Sequence, residues 1–188
     1  MTQVAIVYHS GMGHTRRQAE AVLSGALSVE GVEARLISVE EVEANWDYLD
    51  SAGAHIYGAP TYMGSLSAGL KTFFEKSAGR WFTQAWKEKL AGGFSNSGSA
   101  SGDKLNTLVD IVLFSAQMGM LWVSLPLLPG NVFDADSLNR AGSFLGPTAQ
   151  SPNGLEMELP FPGDLRTSAI YGAHVAQLAK RLDASKTP

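Results

Sequence analysis

The chain has 188 residues, 45% of them hydrophobic and 17% charged, which suits one folded domain spanning 1–188 with a sizeable core. A formal net charge of -4, with no cluster of Lys or Arg, argues against a nucleic-acid partner. With no cysteine, thiol catalysis, disulfides and Cys-ligated metals are excluded, and no metal site is expected.

Residues 3–8 begin the order of elements with an apolar, β-branched run predicted as a buried strand. Its core, "VAIVY", is too short for a signal sequence and has no basic leader. No run approaches the ~20 apolar residues of a membrane span, so a soluble, cytoplasmic protein without a membrane partner is expected. Residues 14–29 have helical spacing through Ala19, Val22, Leu23, Ala26 and Leu27, and Gly31 stops them. Residues 32–38 alternate enough for a strand nearer an edge, and 40–52 read as a short acidic helix. A third buried strand covers 54–60, and a helix over 66–79 carries Leu66, Leu70, Phe73 and Phe74. Residues 89–96 read as a strand containing Gly92 and Gly93. Residues 103–118 read as a helix with Leu105, Leu108, Val109, Val112 and Ala116 on its buried face. "MLWVSLPL", 120–127, is the predicted fifth strand, and a loop rich in Gly, Pro and Asn runs from about 126 to 163. A last helix, 164–183, carries Tyr171, Val175, Leu178 and Leu182.

Strand and helix alternate five times, which predicts an α/β fold with a parallel sheet covered on both faces. Ligands of such sheets bind beyond the carboxyl ends of the strands. Three loops there are small, hydroxylated and almost uncharged. The first holds Ser10, Gly11, Met12, Gly13, His14 and Thr15 at a helix start. Backbone N–H groups, two hydroxyls and the absence of any acid suit a phosphate. A plain capped strand-to-helix turn is the competing reading. The loop lacks the Gly-Lys-Ser/Thr ending of a P-loop, and Arg16 stands where a dinucleotide fingerprint needs its third glycine. In the second loop Pro60 fixes a turn, and Thr61, Tyr62, Met63 and Gly64 lie where the two larger side chains can meet a flat ring. The third holds Asn96, Ser97, Gly98, Ser99, Ala100 and Ser101, whose backbone N–H groups suit the carbonyl oxygens of a heterocycle. Trp81 is available to wall a planar ligand. A phosphate at the first loop and a ring over the others describe a flavin mononucleotide, FMN.

These motifs resemble the flavodoxin-like superfamily, most of all its WrbA-type NAD(P)H:quinone oxidoreductases and NADPH-dependent FMN reductases. The resemblance is carried by "HSGMGHT", "GAPTYMGS", "SAGRW" and "SNSGSASG" in order, and it covers nearly the whole chain. It implies a three-layer, doubly wound sandwich with a five-stranded parallel sheet in the order 2-1-3-4-5. It implies FMN held at 10–15, 60–64 and 96–101, and a substrate pocket at Trp81 for quinone or nicotinamide. Met12 stands where the family often has an aromatic, and Gln117 stands in that pocket where it often has a His. The implied activity passes two electrons from NADH or NADPH to a quinone-like acceptor. No general acid is visible, so the catalytic residues are unknown. Rival readings are an electron carrier without its own substrate, an enzyme that reduces and releases free FMN, and a flavin-free interaction domain. Such carriers are typically more acidic than -4. A homodimer or homotetramer is expected, because the long loop carries Leu127, Leu128, Val132, Phe133, Phe144, Leu145, Leu155, Met157, Leu159 and Phe161.

Overall fold

Strand β1 (Thr2–Tyr8) lies inside the chain's sheet, and residues 4–7 are apolar on both faces and fully buried. The computed structural model describes residues 1–153 and 159–185. Beside β1 lie β2 (Val32–Ser38) and β3 (Ala54–Tyr62), both parallel to it, and β5 (Leu90–Ser97) continues the sheet beyond β3. Two residues of β6 (Leu121–Trp122) complete the parallel order β2-β1-β3-β5-β6. This is the expected 2-1-3-4-5 order, with a short hairpin strand, β4 (Ser65–Leu66), added on β3.

Helices α1 (His14–Leu27) and α6 (Pro162–Ser185) cover one face. Val4, Ile6, Val22, Phe94, Tyr171 and Val175 fill the core beneath them. The two helices cross at backbone contact: a Cβ on Gly25 would lie 1.8 Å from the Ala169 carbonyl oxygen, and one on Gly172 would lie 2.0 Å from that of Val22. The other face is covered by α2 (Trp46–Ser51), α3 (Ala68–Lys76), α4 (Ala78–Thr83) and α5 (Lys104–Gln117) over an aromatic core of Tyr57, Phe73, Phe74 and Trp86. Each such side chain, fully buried, contributes about 1.5–3 kcal/mol through removal from water.

Four expectations are corrected. The helix predicted over 66–79 begins at Ala68 and divides at Ser77, so Trp81 lies inside α4. The predicted fifth strand pairs only at Leu121 and Trp122. The chain then leaves the sheet and returns as β7 (Thr148–Gln150), which pairs with Ser95, Asn96 and Ser97 of β5. Three residues carry no periodicity to read, and their place is set by pairing with a distant strand. Pro60 makes no turn; it lies within β3 opposite Asn96. Pairing of β1 to β3 ends at Gly58, so the N–H that Pro60 lacks has no strand to meet. Helix α5 is rotated from the expected face: Leu105 is 64% exposed, whereas Lys104, Thr107, Leu108, Ile111 and Ser115 are buried.

Candidate functional site

The three loops meet at the carboxyl ends of β1, β3 and β5. In the first, Ser10 Oγ accepts from the backbone N–H groups of Gly13 (3.1 Å) and Arg16 (3.2 Å), fixing the start of α1. Gly13 has φ 87, a left-handed conformation that a side chain would strain, and a Cβ there would meet open space. No acid lies in the first turn of α1. Thr15 is 2% exposed, and among the described residues its hydroxyl has no hydrogen-bond partner.

The second loop is the tip of a hairpin. Met63 (φ 49) and Gly64 (φ 86) form the two-residue connection between β3 and β4, both in the left-handed region typical of a type I′ turn. Met63 is therefore held fully in solvent, a costly place for a large apolar side chain without a ligand to cover it. The hairpin leans on the first loop: a Cβ on Gly11 would lie 2.4 Å from the Tyr62 hydroxyl. The Thr61 hydroxyl turns inward to Ser95 (2.9 Å) and Thr107 (2.7 Å), so its side chain is engaged within the protein.

The third loop rests on Lys104, which is 3% exposed. Its Nζ donates to Ser97 Oγ (3.0 Å) and to the carbonyl oxygens of Ser99 (2.9 Å) and Ala100 (3.0 Å). Burial pushes this ammonium down to about 8; Asp164 opposes that shift and Arg140 adds to it. Gly102 closes the loop at φ 54, where a Cβ would lie 2.0 Å from Ser97 Oγ. Just after β7, Ser151 N–H donates to the Ser97 carbonyl (2.9 Å) and Ser151 Oγ to Asn96 Oδ1 (3.1 Å). Asn96 is thus engaged too, and residues 98–101 remain exposed.

Helix α5 organises two of the loops. Thr107 meets Thr61, Asn106 Nδ2 donates to the Gly64 carbonyl (2.8 Å), and Asp110 accepts from Ser65 Oγ and Leu66 N–H. Thr107 shares a helical face with Lys104 at i+3, and Asp110 shares one with Asn106 at i+4. The apolar pattern of the sequence hid them. The only sequence signal was four polar residues in the first two turns of a helix otherwise rich in Leu and Val.

Trp81 and Gln117 are together. They line a cleft of about 650 Å³ between α3, α4 and α5, with Leu113 and Phe114. Gln117 ends α5, 13 residues or about 20 Å of helix from Lys104. Neighbouring Arg80 pairs with Asp50 at 3.1 Å, just before β3 begins. Ser65 and Leu66 of β4 line the same cleft, so it runs from the hairpin to Trp81.

The residues present fit FMN: an acid-free helix start with an unpartnered hydroxyl, an apolar tip held in solvent, and a loop of free N–H groups. Such a doubly wound sheet, with this chemistry at three adjacent strand ends, defines a flavodoxin-like α/β protein. Residues 29–126 match the NADPH-dependent FMN reductase family, and the chain belongs to it. It is 37% identical to flavodoxin FldP of Pseudomonas aeruginosa over 98% of this chain and 100% of that protein. It is 31% identical to an NAD(P)H dehydrogenase (quinone) of Geobacter sulfurreducens, over 96% of this chain and 98% of that one. Among solved structures, a flavodoxin, WrbA-like protein from Agrobacterium tumefaciens superposes with a TM-score of 0.76 at 41% identity, covering 96% of this chain and 99% of that one.

Proposed function

We propose that this protein is an FMN-dependent oxidoreductase that passes two electrons from NADH or NADPH to a quinone-like acceptor. The observation that carries the reading is the meeting of three uncharged strand-end loops, with open backbone donors, in a chain of the FMN reductase family. FMN, when bound, would supply the two-electron redox chemistry. Residues 10–15 hold the phosphate, through the N–H groups of α1 and the hydroxyls of Ser10 and Thr15. Tyr62 and Met63 lie against the ring, and residues 98–101 hold its carbonyl edge.

The resemblance to a named flavodoxin favours a second reading, an electron carrier with no substrate of its own. Purified protein loaded with FMN separates the two. NADPH or NADH oxidation that depends on added quinone, with many turnovers per flavin, is the expected result. No pyridine-nucleotide oxidation, with intact electron exchange to a redox partner, would establish the carrier.

We also infer a homo-oligomer, a dimer or tetramer. In the insertion between β6 and β7, Leu128, Val132, Phe133 and Phe144 are exposed; Leu155 and Met157 lie outside the described residues. On α5, Leu105, Val109 and Leu113 form an exposed row at i, i+4 and i+8, and Phe82 of α4 is 77% exposed. A second copy of the chain is the partner that removes these surfaces from water. Sedimentation equilibrium at micromolar protein should give two or four times the chain mass of 20.0 kDa; a monomer would end the idea.

A further inference from the structure

The Lys104 ammonium sits beneath a loop that the sequence showed as almost uncharged. Its three short contacts use all three of its protons. Two of its acceptors are consecutive carbonyls, those of Ser99 and Ala100. Both peptides are trans, so each N–H points opposite to its carbonyl. When the Ser99 and Ala100 carbonyls turn in toward Lys104, the N–H groups of Ala100 and Ser101 turn out. Among the described residues neither of those N–H groups has an acceptor.

We propose that Lys104 is the positioning residue of the flavin site: it turns two consecutive loop peptides so that the Ala100 and Ser101 N–H groups face the ring's carbonyl edge, and its buried charge favours the reduced cofactor. This rests on the FMN reading above. The charge acts because Lys104 itself is 3% exposed and so is shielded from water. Reduction adds negative charge to the ring, and a nearby cation shielded from water stabilises it. The other charged groups at Lys104 are Asp164 of α6 and Arg140 of the insertion. They pair with each other at 3.1 Å, which leaves Lys104 as the net positive charge at the loop. The need for a long, cationic side chain is met by Lys, which alone carries three donors on one atom.

The test measures FMN affinity and the two-electron midpoint potential for the wild type, Lys104→Met and Lys104→Gln. Met matches the length without charge, and Gln keeps a donor without charge. For Lys104→Met, FMN affinity is expected to fall at least tenfold. The preference for reduced over oxidised FMN is also expected to fall about tenfold, which lowers the potential by about 30 mV. Lys104→Gln should lower the potential similarly while losing less affinity, and it carries the test if the Met variant does not fold. An unchanged potential in a folded, uncharged variant would overturn the proposal, because a merely structural lysine would weaken both oxidation states equally. A wild type that binds no FMN would instead sink the functional reading itself.

Discussion

Ser10→Asp should abolish useful FMN binding while leaving the fold and riboflavin binding intact. The substitution is a narrow probe because the two roles of Ser10 respond in opposite ways. As a cap, Ser10 Oγ accepts from the N–H groups of Gly13 and Arg16. An aspartate caps a helix as well as a serine and suits its positive end. Helix α1 should therefore hold, and circular dichroism and the melting temperature should barely change. As a phosphate ligand, the same position loses a charge-assisted hydrogen bond of about 1.5–3 kcal/mol and gains a like charge. With tenfold in affinity per about 1.4 kcal/mol, the loss should be at least ~100-fold. Riboflavin has no phosphate, so its affinity should stay within a few-fold. Quenching of flavin fluorescence measures both ligands against the same apoprotein. Equal FMN affinity in wild type and variant would place the phosphate elsewhere.

The parts of this site that were legible in the sequence are those that local chemistry dictates. Ser10, Gly13 and Thr15 announce themselves as small and hydroxylated residues between an apolar strand and a helix. The hairpin tip was half legible: Tyr62 and Met63 could be read as candidates to meet a ring, but the left-handed turn that exposes Met63 could not. What the sequence hid is what depends on distant pairing. Lys104, Asn106, Thr107 and Asp110 look like the polar side of an amphipathic helix. The structure uses each of them to hold one of two loops, and Leu105, Val109 and Leu113 face solvent instead. Asn139 and Arg140 lay unnoticed in a long loop. Yet Asn139 accepts from Ser143 N–H and donates to the Leu127 carbonyl (2.9 Å), and Arg140 donates to the Val132 carbonyl (2.6 Å) and to Gln150 (2.8 Å). Trp81 was legible as a pocket wall, but the helix that carries it was not. The break of the helix at Ser77 sets it inside a second short helix, α4, where it lines one cleft with Gln117 and the hairpin residues Ser65 and Leu66.

Asp164→Asn should destabilise the protein by about 3 kcal/mol and loosen the flavin site from a distance. Arg140 and Asp164 are 7% and 3% exposed, with Nε and Oδ1 3.1 Å apart. The alignment is poor for a hydrogen bond, since Arg140 Nε has no partner on geometric grounds, so the contact is chiefly one of charge. Burial raises the Asp164 carboxyl above its ordinary value, and the opposing contributions of the Gln150 N–H, Arg140 and Lys104 do not cancel it. The stability linked to this shift is present below the unfolded value of 3.8 and is lost as pH rises through the folded one. At neutral pH the pair therefore adds little net stability, as buried pairs often do. Removing one partner is different, because Arg140 is left buried without its counter-charge, at a cost of about 3–5 kcal/mol. Its bonds to Val132 and Gln150 place the expected loss at the low end. Asp164 also accepts from the Gln150 N–H at 2.8 Å, and the adjacent Ser151 holds Ser97 and Asn96. FMN affinity should fall along with stability. Urea unfolding at pH 7 gives the first quantity and flavin titration the second. The double change Arg140→Met with Asp164→Leu discriminates the cause: it removes both charges and should recover most of the stability lost by Asp164→Asn alone. A loss below about 1 kcal/mol in the single variant, or a double variant no better than the single, would mean that the ion pair does not anchor β7 to the sheet.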